Sequence, residues 1–332
     1  MKSLIQKLVE IPSPSGYESQ IRSAIRAEIE KDVDDLKVDA LGNLIARKGQ
    51  GGKGGLKVML SAHIDEIGII ATHIDNDGFV RFTTIGGVRP LNCVGGRVRF
   101  LNGKIGVIGA ECMEEPGRVP SIEQMFIDLG FSNRKDASVK VGDIAAFERP
   151  FNDLGNRLVS KAMDDRVGVA VLIETLHQLK DSPHELFFVF STQEEVGLRG
   201  ATTAAFGVDP DLGLAVDVTG SGDTPKGMKM EVSLGKGPAI KVRDSGMLSD
   251  PRVVDWMVRT AEKAKIPYQL EVLEAGTTDA RAIQTTRAGV PVGCLSIPTR
   301  YIHSPSEMVD FNDVQNSVRL MLALLSQPVK LA

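Results

Sequence analysis

The chain has 332 residues, of which 42% are hydrophobic, and 39 lysines and arginines stand against 43 aspartates and glutamates for a formal charge of −4. That length and apolar content suit a globular protein with a sizeable core, and so even a charge balance, without a long single-sign run, gives no basis for binding nucleic acid or an anionic membrane. Three cysteines, Cys93, Cys112 and Cys294, lack CxxC spacing, which points to a reduced cytoplasmic protein with neither a disulfide framework nor a thiolate zinc site.

The N-terminal stretch MKSLIQKLVEIPSPSG sets Leu4, Ile5, Leu8 and Val9 at helical spacing, broken by charge, and predicts a mature helix rather than a secretory leader. Ile21, Ile25 and Ile29 predict a second helix; the turn-rich GQGGKGG and the strand-like LKVMLSAHID follow. GQGGKGG is not a phosphate loop, because no GK[ST] follows it, and no GxSxG elbow occurs in the chain. From about 70 to 158 the texture changes to short β-prone runs, THIDNDGFVRF, TTIGGVRP, VGGRVRFLNGKIGVIGA and VKVGDIAAFE, joined by Asp-Gly, Asn-Gly and Gly-Gly turns. Such spacing predicts a small all-β barrel or sandwich. Beyond Lys161 an α/β texture returns: a helix over Val169 to Leu179, strands over Leu186 to Phe190 and Leu212 to Val218, a helix over Val253 to Lys263, a strand over Val290 to Ile297 and a last helix over Val314 to Leu325. The expected architecture is one α/β domain made of residues 1–69 and 159–332, with a β module, 70–158, inserted in it. No apolar run approaches the roughly 20 residues needed to span a bilayer.

The apolar strands end in polar residues of one chemical kind. LKVMLSAHID closes on His63 and Asp65; KAMDDRVG places Asp164 and Asp165 where a helix begins; ELFFVFSTQEEVG stops at Glu194 and Glu195; DLGLAVDV carries Asp217; His303 follows the Val290 strand. Singly, each has an ordinary reading, the two aspartates as a helix N-cap and the histidine as a hydrogen-bonded core residue. Together they describe a metal site, since strands that end repeatedly in imidazole or carboxylate serve stability poorly and metal binding well, and in open α/β sheets ligands bind at the carboxyl ends of strands. His73, His177 and His184 lack such partners and are read as structural. Imidazole and carboxylate without thiolate suit zinc, cobalt or manganese. Two ions roughly 3.5 to 4 Å apart need a shared anion, for which Asp164 is a candidate. In one arrangement that meets this, His63, Asp164 and Asp217 hold one ion and Asp164, Glu195 and His303 the other. Three carboxylates against two divalent ions then leave a charge of about +1, which a bridging hydroxide would neutralise. Neighbouring strand residues point to opposite faces, so Glu194 is expected to do something different from Glu195, namely to take a proton from the metal-bound water. Asp65, two residues from His63, would accept the second ring N–H of that histidine. Residue spacing alone does not choose Asp164 over Asp165.

With SAHIDEIG, IGGVRP, IDLG, KAMDDRVG, STQEEVGLRGA, AVDVT, GTTDARAI and YIHSP in this order over nearly the whole length, the chain resembles the M42 metallo-aminopeptidases, the group that includes the tetrahedral TET aminopeptidases. The resemblance implies His63, Asp164, Glu195, Asp217 and His303 as metal ligands, Glu194 as general base and Asp65 as the support of His63, and it places the ligand at the first position of the Asp-Asp pair. It also implies a co-catalytic metallopeptidase domain with a mixed sheet flanked by helices, an inserted all-β dimerisation domain, two divalent ions per subunit, peptide substrates, and dimers that assemble into dodecamers. The expected activity is hydrolytic removal of the N-terminal residue. A carboxypeptidase or deacylase on the same two-metal core is the nearest alternative. A glycoside hydrolase fits poorly, because its two carboxyl groups flank the bond about 5 to 9.5 Å apart and adjacent glutamates do not. A scaffold with a lapsed site conflicts with the complete set of donors. GTTDARAI, with Asp279 and Arg281, is a candidate wall of the substrate site, a structural turn being the other reading.

Overall fold

A computed structural model describes residues 1–112, 115 and 117–331. Its framework is an eleven-stranded mixed sheet. Four neighbouring parallel strands form the centre, in the order Glu185–Ser191, Lys57–His63, Leu212–Thr219 and Val292–Arg300. All eight residues of Leu212–Thr219 are buried, as are eight of the nine in Val292–Arg300. This is why those stretches read as continuous apolar runs: a parallel sheet is covered on both faces. Antiparallel strands extend both edges, Leu44–Lys48 and Asp35–Val38 on one side and Glu307–Asp310, Arg157–Ser160 and Asn152–Asp153 on the other.

Helices cover the two faces. On one, Met163–Gln178 packs centrally with Lys2–Glu10, Ser19–Ile29, Pro251–Ala264 and Phe311–Leu325 around a core that includes Ile5, Ile21, Ile25, Leu60, Leu172, Phe188, Leu214 and Leu320. The central helix is buried nearly all round, consistent with its weak amphipathic signal in sequence. On the opposite face lie Arg199–Val208 and the short Asp279–Gln284, with Ala204, Ala205, Ala280 and Ile283 against Met59, Val189 and Ala215.

The predicted β module contains a closed barrel of six strands, Gly68–Ile74, Val80–Ile85, Met125–Asp128, Ile105–Ala110, Arg97–Phe100 and Ile144–Phe147, the last pairing back to the first. Period-two alternation turns Val80 and Phe82, Val98 and Phe100, and Met125 and Ile127 inward to a core separate from that of the sheet. The Asp-Gly turn behaves as its sequence requires: Gly78 takes a left-handed φ of +92°, and the Asp75 carboxylate accepts the Phe79 N–H. The barrel strands fall between residues 68 and 147, whereas Asn152–Asp153 and Arg157–Ser160 are hydrogen-bonded into the larger sheet.

Candidate metal centre

The carboxyl ends of the four central strands open into a cleft of about 600 Å³, and six of the polar residues predicted at those ends, His63, Asp164, Glu194, Glu195, Asp217 and His303, line it, whereas Asp65 and Asp165 do not. His63 is the last residue of its strand; its Nε2 lies 2.9 Å from Asp164 Oδ1, 3.9 Å from Asp217 Oδ1 and 4.0 Å from Glu194 Oε2. His303 Nε2 lies 3.4 Å from Asp164 Oδ2 and 3.2 Å from Glu195 Oε2. Two groups of potential ligand atoms result, His63 with Asp164 and Asp217, and Asp164 with Glu195 and His303, each with its atoms within 4.8 Å of one another. Asp164 belongs to both, one oxygen facing each histidine. Asp165, after a cis peptide bond, turns instead into its own helix and accepts the Gly168 N–H.

The two glutamates occupy different environments, but not for the reason expected from strand alternation. Their strand ends at Ser191, Gln193 adopts a left-handed φ of 55°, and both glutamates lie in the turn that follows. Glu194 reaches toward His63 and Glu195 toward His303, and Asp65 holds the turn that carries both. Its Oδ1 accepts the Glu194 N–H at 3.0 Å and its Oδ2 the Glu195 N–H at 3.2 Å, while Ser15 Oγ donates to Oδ2 at 2.6 Å. Asp65 also departs from the simple second-partner picture: His63 Nδ1 is 3.2 Å from the main-chain oxygen of Asp65 and 3.5 Å from its carboxylate. Asp65 therefore anchors the glutamate turn as well as facing the histidine.

Sequence reasoning passed over several participants. Glu307, buried and four residues after His303, accepts the Asp164 N–H at 3.0 Å and the His303 N–H at 2.9 Å, doing for this pair what Asp65 does for the glutamates. Lys161 donates both to Glu66 Oε1 and to Oε2, joining the segments that carry Asp164 and His63. Gly86 and Gly87, in the IGGVRP stretch leaving the barrel, press on Glu195 and His303 so closely that a Cβ at Gly87 would collide with the imidazole. Repeated glycine beside a site was the available signal, since close backbone approach demands it. Of the GTTDARAI stretch, Thr277, Thr278 and Arg281 line the cleft, whereas Asp279 is buried beneath it. His73 is exposed on a barrel strand, His177 Nε2 donates to the Glu28 carbonyl and His184 bonds Leu56 and Gln327, all apart from the cluster.

The electrostatics of this cluster fit a cation. Burial pushes the Glu194 and Asp217 carboxyls well above their ordinary values, with neighbouring carboxylates adding to the effect, and burial raises Glu195 in the same sense. Burial alone would lower both histidines, yet Asp164 with Asp65 holds His63 well above its usual value, and Asp164 with Glu195 holds His303 up at about 11. Left to itself, so crowded an anionic group is neutralised only by keeping protons; divalent ions on imidazole and carboxylate donors would replace those protons.

A mixed sheet with an acid–imidazole cluster at its strand ends is the architecture of a metallohydrolase, and comparison with known proteins narrows the class. The family model described as M42 glutamyl aminopeptidase matches residues 42–320. The lysyl aminopeptidase of Pyrococcus furiosus is 37% identical over 98% of this chain and 96% of its own. Among solved structures, an aminopeptidase from the archaeon Desulfurococcus kamchatkensis superposes with a TM-score of 0.94 at 42% identity, over 98% of this chain and 94% of that one. The Pyrococcus horikoshii TET1 peptidase, which can assemble into a tetrahedron or a large octahedral shell, superposes with a TM-score of 0.87 at 34% identity, over 98% and 99%. The chain belongs to the M42 peptidase family and is an aminopeptidase, a metallo-exopeptidase that hydrolyses the N-terminal residue from peptides.

Proposed function

We propose that this aminopeptidase works with two divalent ions, one held by His63, Asp164 and Asp217 and the other by Asp164, Glu195 and His303, with Glu194 as the proton-transfer group and Asp65 as the residue that orients His63. The observation that carries the reading is the position of Asp164, whose two oxygens face the two histidines. Zinc or cobalt suits these donors, and manganese is the third ion to test. When bound, such ions supply Lewis acidity: they polarise the scissile carbonyl, accept the free α-amine and lower the pKa of water. Glu194 belongs to neither group of ligands, yet it lines the same cleft, its Oε2 4.0 Å from His63 Nε2. Burial raises its proton affinity, which suits a group that takes a proton from the attacking water and returns it to the leaving nitrogen.

In this reading residues 1–69 and 159–332 form the catalytic unit, and 70–158 an inserted unit that pairs two chains. The assembly proposed is a homo-oligomer with the dimer as building block and a dodecamer as the larger form, in line with the shells described for TET relatives. Leu91 and Val94, 75% and 51% exposed on the barrel side, are apolar surface of the kind that pairing would cover. We place the enzyme in the cytoplasm; among the described residues no helix is long and apolar enough to cross a membrane.

The test is metal-free protein reconstituted separately with zinc, cobalt or manganese, assayed on a panel of aminoacyl chromogenic substrates beside one N-acetylated counterpart. Two ions per chain and no cleavage of the blocked substrate are expected. A single ion per chain, or equal rates on both forms, would overturn the proposal; the panel also reads out the preferred N-terminal residue.

A further inference from the structure

Asp279 is an acid that the reaction does not use and the fold has little reason to keep. Its side chain is buried, with 2% of the residue exposed, and among the described residues no lysine, arginine or histidine forms an ion pair with it. One oxygen, Oδ1, has no hydrogen-bond partner. A carboxylate in that position is costly unless its charge is met. All the compensation falls on Oδ2, which accepts Ser61 Oγ at 2.6 Å and Ser191 Oγ at 2.5 Å. Both distances lie at the short end of the range for hydroxyl donors.

The two serines give this arrangement its meaning. Ser61 stands two residues before His63 on the same strand and so shares its face. Ser191 is the register partner of His63 on the adjacent parallel strand, the last residue before the turn that carries Glu194 and Glu195. The same acid opens the helix Asp279–Gln284, which Thr278 caps and which follows the cleft residues Thr277 and Thr278. A single oxygen therefore joins three pieces: the strand of His63, the strand leading to the glutamates, and the cleft wall.

We propose that Asp279 is a positioning residue of the metal centre, its Oδ2 tying the strand that ends in His63 to the strand that leads to Glu194 and Glu195 and so setting the separation of the two halves of the donor cluster. The proposal rests on the reading of His63 and Glu195 as ligands of different ions. Removing the oxygen leaves every ligand and the backbone ladder between the strands in place but takes away the side-chain tie on the face that carries His63, so that the two strand ends can shift slightly.

The test uses the full-length protein, stripped of metal and titrated with cobalt, whose visible absorption reports ligand geometry directly. In Asp279→Ala, the absorption band is expected to shift, and kcat to fall about 10- to 100-fold, the range for residues that hold metal ligands in place, with KM changing less than about twofold. Asp279→Asn keeps an oxygen that can accept both serine hydroxyls, so it is expected to restore most of the wild-type spectrum and rate. Wild-type spectrum and kcat in Asp279→Ala would overturn the proposal, as would a folded Asp279→Asn that behaves no better than Asp279→Ala. Should Asp279→Ala fail to fold, Ser61→Ala and Ser191→Ala each remove one of the two bonds, and an unshifted cobalt spectrum in both would be equally fatal. His63→Ala separates the two claims. If it retains two cobalt ions with an unaltered spectrum, the ligand assignment fails and the proposal with it; if it loses an ion while Asp279→Ala is normal, only the positioning role falls.

Discussion

The two halves of the candidate centre are built by different means. The His63 half rests on regular structure: His63 ends a parallel strand, Asp217 lies within the next, and both are almost wholly buried. The Glu195 and His303 half rests on irregular chain. Glu195 lies in a turn entered through the left-handed Gln193, His303 itself has a φ of 60° and Tyr301 one of 63°, and the His303 side chain is 29% exposed. Left-handed backbone at non-glycine residues stores strain that the surroundings must hold. Here the surroundings are Asp65, Glu307 and the two barrel glycines. Strands fix one half of the site, and buried carboxylates that grip backbone N–H groups fix the other.

The largest effect is expected where the halves meet. Asp164→Ala removes the one residue common to both groups, and kcat should fall by roughly 1,000-fold or more, since metal-ion stabilisation contributes several kcal/mol to such reactions; metal analysis should show fewer than two ions per chain. A variant that keeps both ions and near-normal turnover would break the shared-ligand reading. Glu194→Gln comes next. Both ions should remain, with kcat lower by about 100- to 10,000-fold, the span of general acid–base contributions. Unchanged activity with full metal occupancy would remove Glu194 from proton transfer.

Gly87→Ala sharpens the contrast itself. The added methyl displaces His303 and leaves His63 untouched, so affinity for one of the two ions should weaken on the order of 10-fold while the other holds. Equal weakening of both would mean that the halves are not independent. The smallest effect concerns the tether of the irregular half, Arg300, three residues before His303, which pairs with Asp223 at 2.8 Å. The Arg300 guanidinium draws the Asp223 carboxyl from its ordinary 3.8 down to about 2. Because the folded value is depressed, the pair contributes fully above pH 3.8 and loses its contribution as pH falls toward 2. Arg300→Met should therefore cost less than about 1 kcal/mol at neutral pH, and that deficit should vanish near pH 2. A deficit unchanged by acid, in paired thermal or denaturant unfolding curves, would assign the loss to packing instead.

The same contrast explains what was legible in the sequence. Strands Lys57–His63, Glu185–Ser191 and Leu212–Thr219 announce themselves as apolar runs, and His63 and Asp217 are conspicuous because they interrupt them. The β module was readable from its short β-prone runs and glycine turns, which left barrel and sandwich open. The irregular half was harder. Periodicity carries no information past the end of a strand, so the glutamate pair looked like strand residues when the chain had already turned at Gln193. Glu307 and Asp279 were obscure for a different reason: each acts on groups that are remote in sequence or on main-chain N–H groups, which no residue pattern displays.

The five proposed ligands are scattered from position 63 to position 303, with Asp164 between the first and the last. A ribosome making this chain releases His63 early and His303 only after some 240 further residues. Until then the nascent polypeptide holds a partial donor set at best, and Asp164 has one imidazole beside it instead of two. Proteolytic competence would therefore be among the last properties to emerge during synthesis, and a chain cut short before His303 would lack a complete donor set.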